Sequence, residues 1–153
     1  MIYVIIFSIV KLLSNDITTN IMSKRIKQII KEFESFTDWE AKYSYIIELG
    51  KNLSGLNESQ KIDINKVDGC INQIWLIVKR KGNKYYFYAD SDAFIVKGLL
   101  AIVLRIFSGL TKEEILNVNF KELFDNLGLR NHLSSSRSNG LLTMIQKIRT
   151  IIL

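Results

Sequence analysis

A chain of 153 residues is the right length for one domain with one core. With 48% apolar and 24% charged residues it is globular in composition, which excludes a disordered chain, and its single cysteine excludes an internal disulfide and a cysteine-built metal or cluster site. The formal charge of +6 permits contact with nucleic acid or an acidic protein. Lys and Arg are nevertheless interleaved with Asp and Glu, and only "KRKGNK" (Lys79 to Lys84) forms a run, so no nucleic-acid partner is expected.

Residues 1–22 read as an extension and residues 23–153 as the domain. "MIYVIIFSIVKLL" is apolar apart from Ser8 and Lys11, yet falls short of the ~20 residues of a membrane span. It also lacks the basic start and small-residue cleavage site of a secretory signal. A polar linker, "SNDITTN", follows, and Met22 opens "MSKRIKQIIKEF" as a cytosolic domain would open. The extension is expected to be dispensable, with a short anchor or a helix lying on the surface as the alternative. Location reads as cytoplasmic, or organellar if the extension is a targeting remnant.

From Met22 onward the periodicity is legible. Ile26, Ile29, Ile30 and Phe33 form one face of an amphipathic helix. Thr37 and Glu40 have the spacing of a capping box, and Trp39, Tyr43, Ile46 and Ile47 stripe a second helix that is expected to stop near Gly50. After a loop from Asn52 to Ser59 the period changes to two. Ile62, Ile64 and Val67 suggest a first strand, Gln73 to Arg80 a second, and Lys84 to Asp90 a third, with Gly82-Asn83 as the hairpin turn. The middle strand is apolar on both faces and is expected to be covered on both. The tyrosines of "YYFY" alternate and read as core.

Asp90, Ser91 and Asp92 are good N-cap types ahead of "AFIVKGLLAIVLRIF", which is apolar nearly all round and should be the buried central helix. Lys97 interrupts it and is expected to reach solvent. Thr111 and Glu114 make another capping box, Phe120 and Phe124 mark a further turn or two, and Leu141, Met144, Ile145 and Ile148 stripe the last helix. The order of helices, three strands and helices implies an α+β domain with a three-stranded antiparallel sheet packed against helices.

The chemistry concentrates in "VDGCINQIW" (Val67 to Trp75), which holds the only cysteine. Cys70 follows Gly69, whose freedom allows a tight turn and a close approach. A thiol there is either an inert buried side chain, the common state of free cysteine, or a nucleophile. Val67, Ile71 and Ile74 offer it an apolar surface. Cys70 is therefore expected to fold inward in the free protein, where desolvation disfavours the thiolate, with Gly69 as the flexible point when a partner draws the loop out.

Five stretches carry a resemblance: "YSYIIELGK" (Tyr43 to Lys51), "NKVDGCINQIWL" (Asn65 to Leu76), "YYFYADSDAFIVKGLLAI" (Tyr85 to Ile102), "LGLRNHLSSSRSNGL" (Leu127 to Leu141) and Met144. In this order they resemble the SufE family of sulfur acceptors, over nearly everything from Ile26 to the C-terminus. Asn72 stands where family members usually have serine or a similar small residue, and the proline usual in the "HLSSSR" stretch is absent. The resemblance implies a SufE/IscU-like fold and a persulfide carrier on Cys70. A SufS-like cysteine desulfurase would donate the sulfur and an iron–sulfur scaffold would receive it; a CsdE-like route to another thiolation pathway is the alternative. The pyridoxal phosphate would belong to the desulfurase, leaving this chain without a cofactor of its own.

The remaining candidates keep two readings each. Arg137 either lowers the thiol pKa or orients the partner, or else pairs locally. His132 stands first as a structural histidine bonding the backbone and second as an acid/base. Asp90 and Asp92 are helix caps first and partner contacts second, while Gln73 and Trp75 anchor the loop. A cysteine hydrolase would need Cys70 and His132 together with an orienting group, and no local signature of one is present.

Overall fold

The computed structural model describes Ile5, Ile6, Ile9 and residues 24–153. The expected boundary at residue 22, and with it most of the extension, lies outside the described residues. Among the described residues no helix is long and apolar enough to cross a membrane.

Helical residues 24–34 (α1) bury Ile29 and Phe33 and half-bury Ile26 and Ile30. α2 spans Trp39–Asn52, and its N-cap is Asp38, whose carboxylate accepts from the Ala41 N–H at 2.8 Å. The cap thus falls one residue beyond Thr37, because the charged oxygen of Asp38 is the one that reaches a free N–H. The helix also runs through Gly50 instead of stopping there. A Cβ on Gly50 would lie 2.5 Å from the Phe94 carbonyl, so this glycine serves helix contact, not termination.

Two 3-10 turns, Glu58–Gln60 and Asp63–Asn65, replace the expected first strand. Asn57 and Gln60 form a capping box, and Ile62 and Ile64 are 50% and 85% exposed, so their alternation never met a core. A single bridge, Lys66 with Trp75, is all that pairs this segment to the sheet. β1 (Ile74–Lys81) and β2 (Lys84–Ser91) form the expected antiparallel hairpin, with Ile74 opposite Ser91 and Lys81 opposite Lys84. The third strand is β3 (Leu110–Thr111), which pairs with β2 and gives the order β1-β2-β3. β1 is consequently an edge strand and not the middle one. Its inner face (Ile74, Leu76) is buried, whereas Trp75 and Ile77 on the outer face are only half covered. Of the "YYFY" residues Phe87 is core and Tyr88 faces out.

α3 (Phe94–Phe107) is the central helix, with ten buried residues spread around its circumference. It lies between the inner face of the sheet and α2, and Gly98 meets the Ile46 backbone so closely that any Cβ would overlap the carbonyl. Its two charged residues are both tied down. Lys97 pairs with Asp90 at 3.3 Å instead of reaching solvent, and Arg105 grips Glu32 of α1 with two bonds of 2.7 Å. α4 (Lys112–Asn117) starts at the expected Thr111–Glu114 capping box. α5 (Phe120–Asn126) and α6 (Ser135–Ile152) close the domain, and α6 buries Leu141, Met144, Ile145 and Ile148 as its stripe predicts. The result is an α+β fold with a three-stranded antiparallel sheet covered by helices.

Candidate functional site

Residues 67–73 leave the 3-10 segment and return as β1. The base of this loop is closed by the Val67 N–H donating to the Ile74 carbonyl at 2.8 Å. At its far end the Gln73 N–H donates to a carboxylate oxygen of Asp92 at 3.1 Å, and the Asp92 N–H returns to the Gln73 carbonyl at 3.4 Å. Trp75 is held by its bridge to Lys66 and by the Lys61 ammonium 5.8 Å above its ring. Gln73 and Trp75 are thus each held by contacts where the loop runs into β1. Gly69 turns the chain at φ +84, a left-handed backbone that a side chain would strain.

This geometry tips Cys70 inward, half-buried, against α6. Its Sγ lies 3.6 Å from the Gly140 carbonyl, and a Cβ on Gly140 would touch that sulfur. Around the thiol is a cavity of about 10 Å³, bordered by Ile74, Val96, Leu99, Arg137, Gly140 and Leu141 among others. That is room for about one water-sized atom. Burial, and then the Asp68 carboxylate, push the Cys70 thiol above its ordinary pKa, because both disfavour the thiolate. Of the three apolar residues that the sequence offers, Ile74 is buried and borders this cavity, while Val67 is buried at the base of the loop and does not border it. Ile71 borders the cavity too, yet most of its side chain, 82% exposed, faces outward at the loop tip.

The acidic pair divides its work differently from the expected helix capping. The N-cap residue of α3 is Ala93, without a side-chain cap bond, and it is the Ser91 hydroxyl that accepts from the Ala93 N–H. Asp90 is 4% exposed and accepts from the N–H groups of Leu56 and Ser91 while pairing with Lys61 and Lys97. Burial alone would raise its carboxyl pKa, but those hydrogen bonds and Lys97 outweigh it and hold it low. Asp90 thus ties the 53–66 segment to the sheet and α3. Asp92, exposed, latches the cysteine loop. Both lie where the chain leaves β2 for α3, so a short sequence spacing sets two separate supports.

Arg137 borders the thiol cavity from the first turn of α6, whose N-cap Ser134 accepts from the Arg137 N–H at 3.4 Å. His132 is placed elsewhere. It is exposed, its ring stacks on Trp39 at 4.4 Å, and it is not among the residues bordering the cavity. Its structural role comes from stacking, not from a ring bond to the backbone. The Cys70–His132 pair that a hydrolase would need is not assembled. Gly140 and Asp68 are the neighbours that sequence reasoning left out. A glycine inside an otherwise good helix is the signal that marks a close approach at Gly140.

Fold and site define a small α+β domain that carries one half-buried thiol on a latched loop, with no histidine beside it. Comparison with known proteins gives the class its family. The family model "SufE: Fe-S metabolism associated domain" matches residues 27–152. An uncharacterized SufE-like protein of Rhizobium meliloti is 44% identical over 129 residues, spanning 82% of this chain and 92% of that protein. A second, of Rhizobium etli, is 45% identical over 128 residues, spanning 81% and 86%. The solution structure of a hypothetical protein from Thermus thermophilus has a TM-score of 0.68 over 84% of this chain and 93% of that one; at 18% identity it speaks for the fold. The chain belongs to the SufE family, a domain associated with iron–sulfur metabolism.

Proposed function

We propose that this protein accepts sulfur from a cysteine desulfurase onto Cys70 and carries it to an iron–sulfur scaffold. The observation that carries this reading is the lone thiol of a SufE-family chain, half-buried on a loop that rests against Gly140 of α6. In the exchange the Cys70 thiolate attacks the outer sulfur of the donor's persulfide. A bond forms between Cys70 Sγ and that sulfur, the donor's S–S bond breaks, and the donor cysteine leaves as a thiolate that takes up a proton. The step is redox-neutral and calls for no metal or cofactor in this chain; the pyridoxal phosphate is the desulfurase's.

The resting site is poorly suited to attack. Half-buried and beside Asp68, the thiol stays protonated and shielded, which also guards it against oxidation. The donor therefore has two tasks: to draw the loop off Gly140 and to favour the thiolate. Arg137 borders the cavity, and in this reading it supplies positive charge once the loop moves. An opening that costs a few kcal/mol is within the differential contact energy of a modest interface. The reducing cytoplasm, where an unpaired thiol persists, is the compartment this chemistry suits.

Intact mass tests the reading. Incubated with the desulfurase of the same genome and cysteine, the protein should gain the mass of one sulfur, removable by reductant. Cys70→Ser should keep the fold and lose both this adduct and any stimulation of the desulfurase. A Cys70→Ser protein that still stimulates fully would rule out the carrier role.

A further inference from the structure

We propose that the groove between α5 and α6 is a second attachment point for the desulfurase, and that it takes one apolar side chain of that partner flanked by carboxylates. This rests on the sulfur-acceptor reading and adds where, and by what chemistry, the partner holds on. The groove encloses about 170 Å³, with Phe124 and Leu142 as its apolar walls and Lys121 and Arg130 at its rim. That is the size of a single large apolar side chain, and such pockets with a few polar edges are where partner anchors seat.

The walls are set in advance. Phe124 is braced edge-on by Phe120 at 4.7 Å, which stacks in turn on Phe107 of the central helix. Leu142 is 50% exposed in mid-helix, although Leu141, Met144 and Ile145 around it are buried. A rigid, already assembled pocket loses little entropy when it is filled.

Charge names the partner's chemistry. Leu142 also borders the neighbouring surfaces that hold Lys147 and Arg149. Lys121 and Arg130 edge the groove with Asp125, which Arg130 touches at 3.4 Å, and the exposed Lys147 lies beside Asp68 on the adjoining surface; Arg149, turned in to the Val118 carbonyl, adds its charge from behind. An acidic segment is favoured there and a basic one repelled.

Continuity with the thiol identifies which partner. Leu141 borders the thiol cavity and Leu142 the groove, since adjacent residues project about 100° apart around a helix. Leu142 shares a further surface with Val67 and Asp68, at the base of the cysteine loop. One protein bound over α6 reaches both places, so the one that exchanges sulfur with Cys70 is the one that fills the groove.

The test titrates the desulfurase of the same genome against the wild type, Leu142→Ser, Lys121→Glu and, as a charge control on the hairpin tip, Lys81→Glu. Leu142→Ser and Lys121→Glu should each raise Kd and the KM for desulfurase about ten-fold, as loss of an anchor does. The limiting rate of Cys70 persulfide formation and the melting temperature should stay unchanged, and Lys81→Glu should change Kd less than two-fold. Wild-type affinity in Leu142→Ser, or equal effects of Lys121→Glu and Lys81→Glu, would overturn the groove while leaving the sulfur-acceptor reading intact. Self-association of the wild type that Leu142→Ser abolishes, with desulfurase affinity unchanged, would give the groove to a second copy and overturn the proposal. A wild type that neither binds the desulfurase nor takes up sulfur would remove the underlying reading, and the groove's assignment with it.

Discussion

Replacing Asp92 by alanine removes the latch of the cysteine loop and leaves its other bonds in place. The lost bond runs from the Gln73 N–H to the carboxylate at 3.1 Å, at an exposed site. A hydrogen bond to a charged acceptor is worth roughly 1.5–3 kcal/mol, and solvent exposure brings this toward about 1 kcal/mol. The Val67–Ile74 bond and the return bond from Asp92 N–H remain, so the loop loosens without unfolding. When opening is faster than trapping, the rate of Cys70 alkylation scales with the open fraction. About 1 kcal/mol then predicts alkylation by iodoacetamide roughly five-fold faster than in the wild type. Cys70 is the only thiol, so the signal is unambiguous. The substitution also removes a charge, and two controls separate that from loss of the bond. Asp92→Asn loses the charge and keeps an acceptor oxygen, so it should stay within about two-fold of the wild type if the hydrogen bond is what matters. An opening effect raises the rate at every pH, whereas a pKa effect slides the profile along the pH axis. Equal alkylation rates in Asp92→Ala and the wild type would show that burial of Cys70 and the remaining backbone bonds hold the loop without the carboxylate, and the latch argument would fail.

Further outcomes follow from the same geometry. Gly98→Ala drives a Cβ into the Ile46 carbonyl and must part α2 from α3, so it should cost about 3 kcal/mol or more in urea unfolding; a loss below about 1 kcal/mol would contradict so close a helix contact. Glu32, gripped by Arg105 and bonded by the Tyr45 hydroxyl, has its carboxyl held down from 4.5 to about 2. A pKa lowered in the folded state means stability that is complete above pH 4.5 and lost as pH falls toward 2. The ceiling of roughly 3 kcal/mol comes down to about 1–2 kcal/mol for a partly exposed pair. Relative to Glu32→Gln, the wild type should show this advantage at pH 7 and lose it near pH 2; an advantage independent of pH would refute it. Because Asp68 helps to keep the thiol protonated, Asp68→Asn should move the pH profile of Cys70 alkylation to lower pH. An unmoved profile would leave burial as the sole cause.

Much of this protein is legible in its sequence because local rules and burial agree there. The amphipathic stripes of α1, α2 and α6, the Gly82-Asn83 hairpin, the Thr111–Glu114 box and the buried central helix each depend on residues close in the chain, with periods that only one structure satisfies. The lone cysteine after a turn glycine is likewise a local fact, and its family motifs surround it. What tertiary structure decided is everything that joins distant segments. The alternation of Ile62 and Ile64 promised a strand, but a strand needs a partner. β2 is flanked by β1 on one side and by the two-residue β3 on the other, which left the 58–65 segment to fold into 3-10 turns. Gly50 reads as a helix stop only until α3 is seen packed against it. Asp90 and Asp92 are two residues apart and chemically alike, yet one is buried among Leu56, Lys61 and Lys97 and the other is an exposed latch on Gln73. Those partners stand as many as 34 residues away along the chain. The resting state of Cys70 belongs to the same class. Its chemistry is written in one residue, but whether that thiol is quiet or poised depends on Gly140, 70 residues later, and on a desolvation that only packing creates.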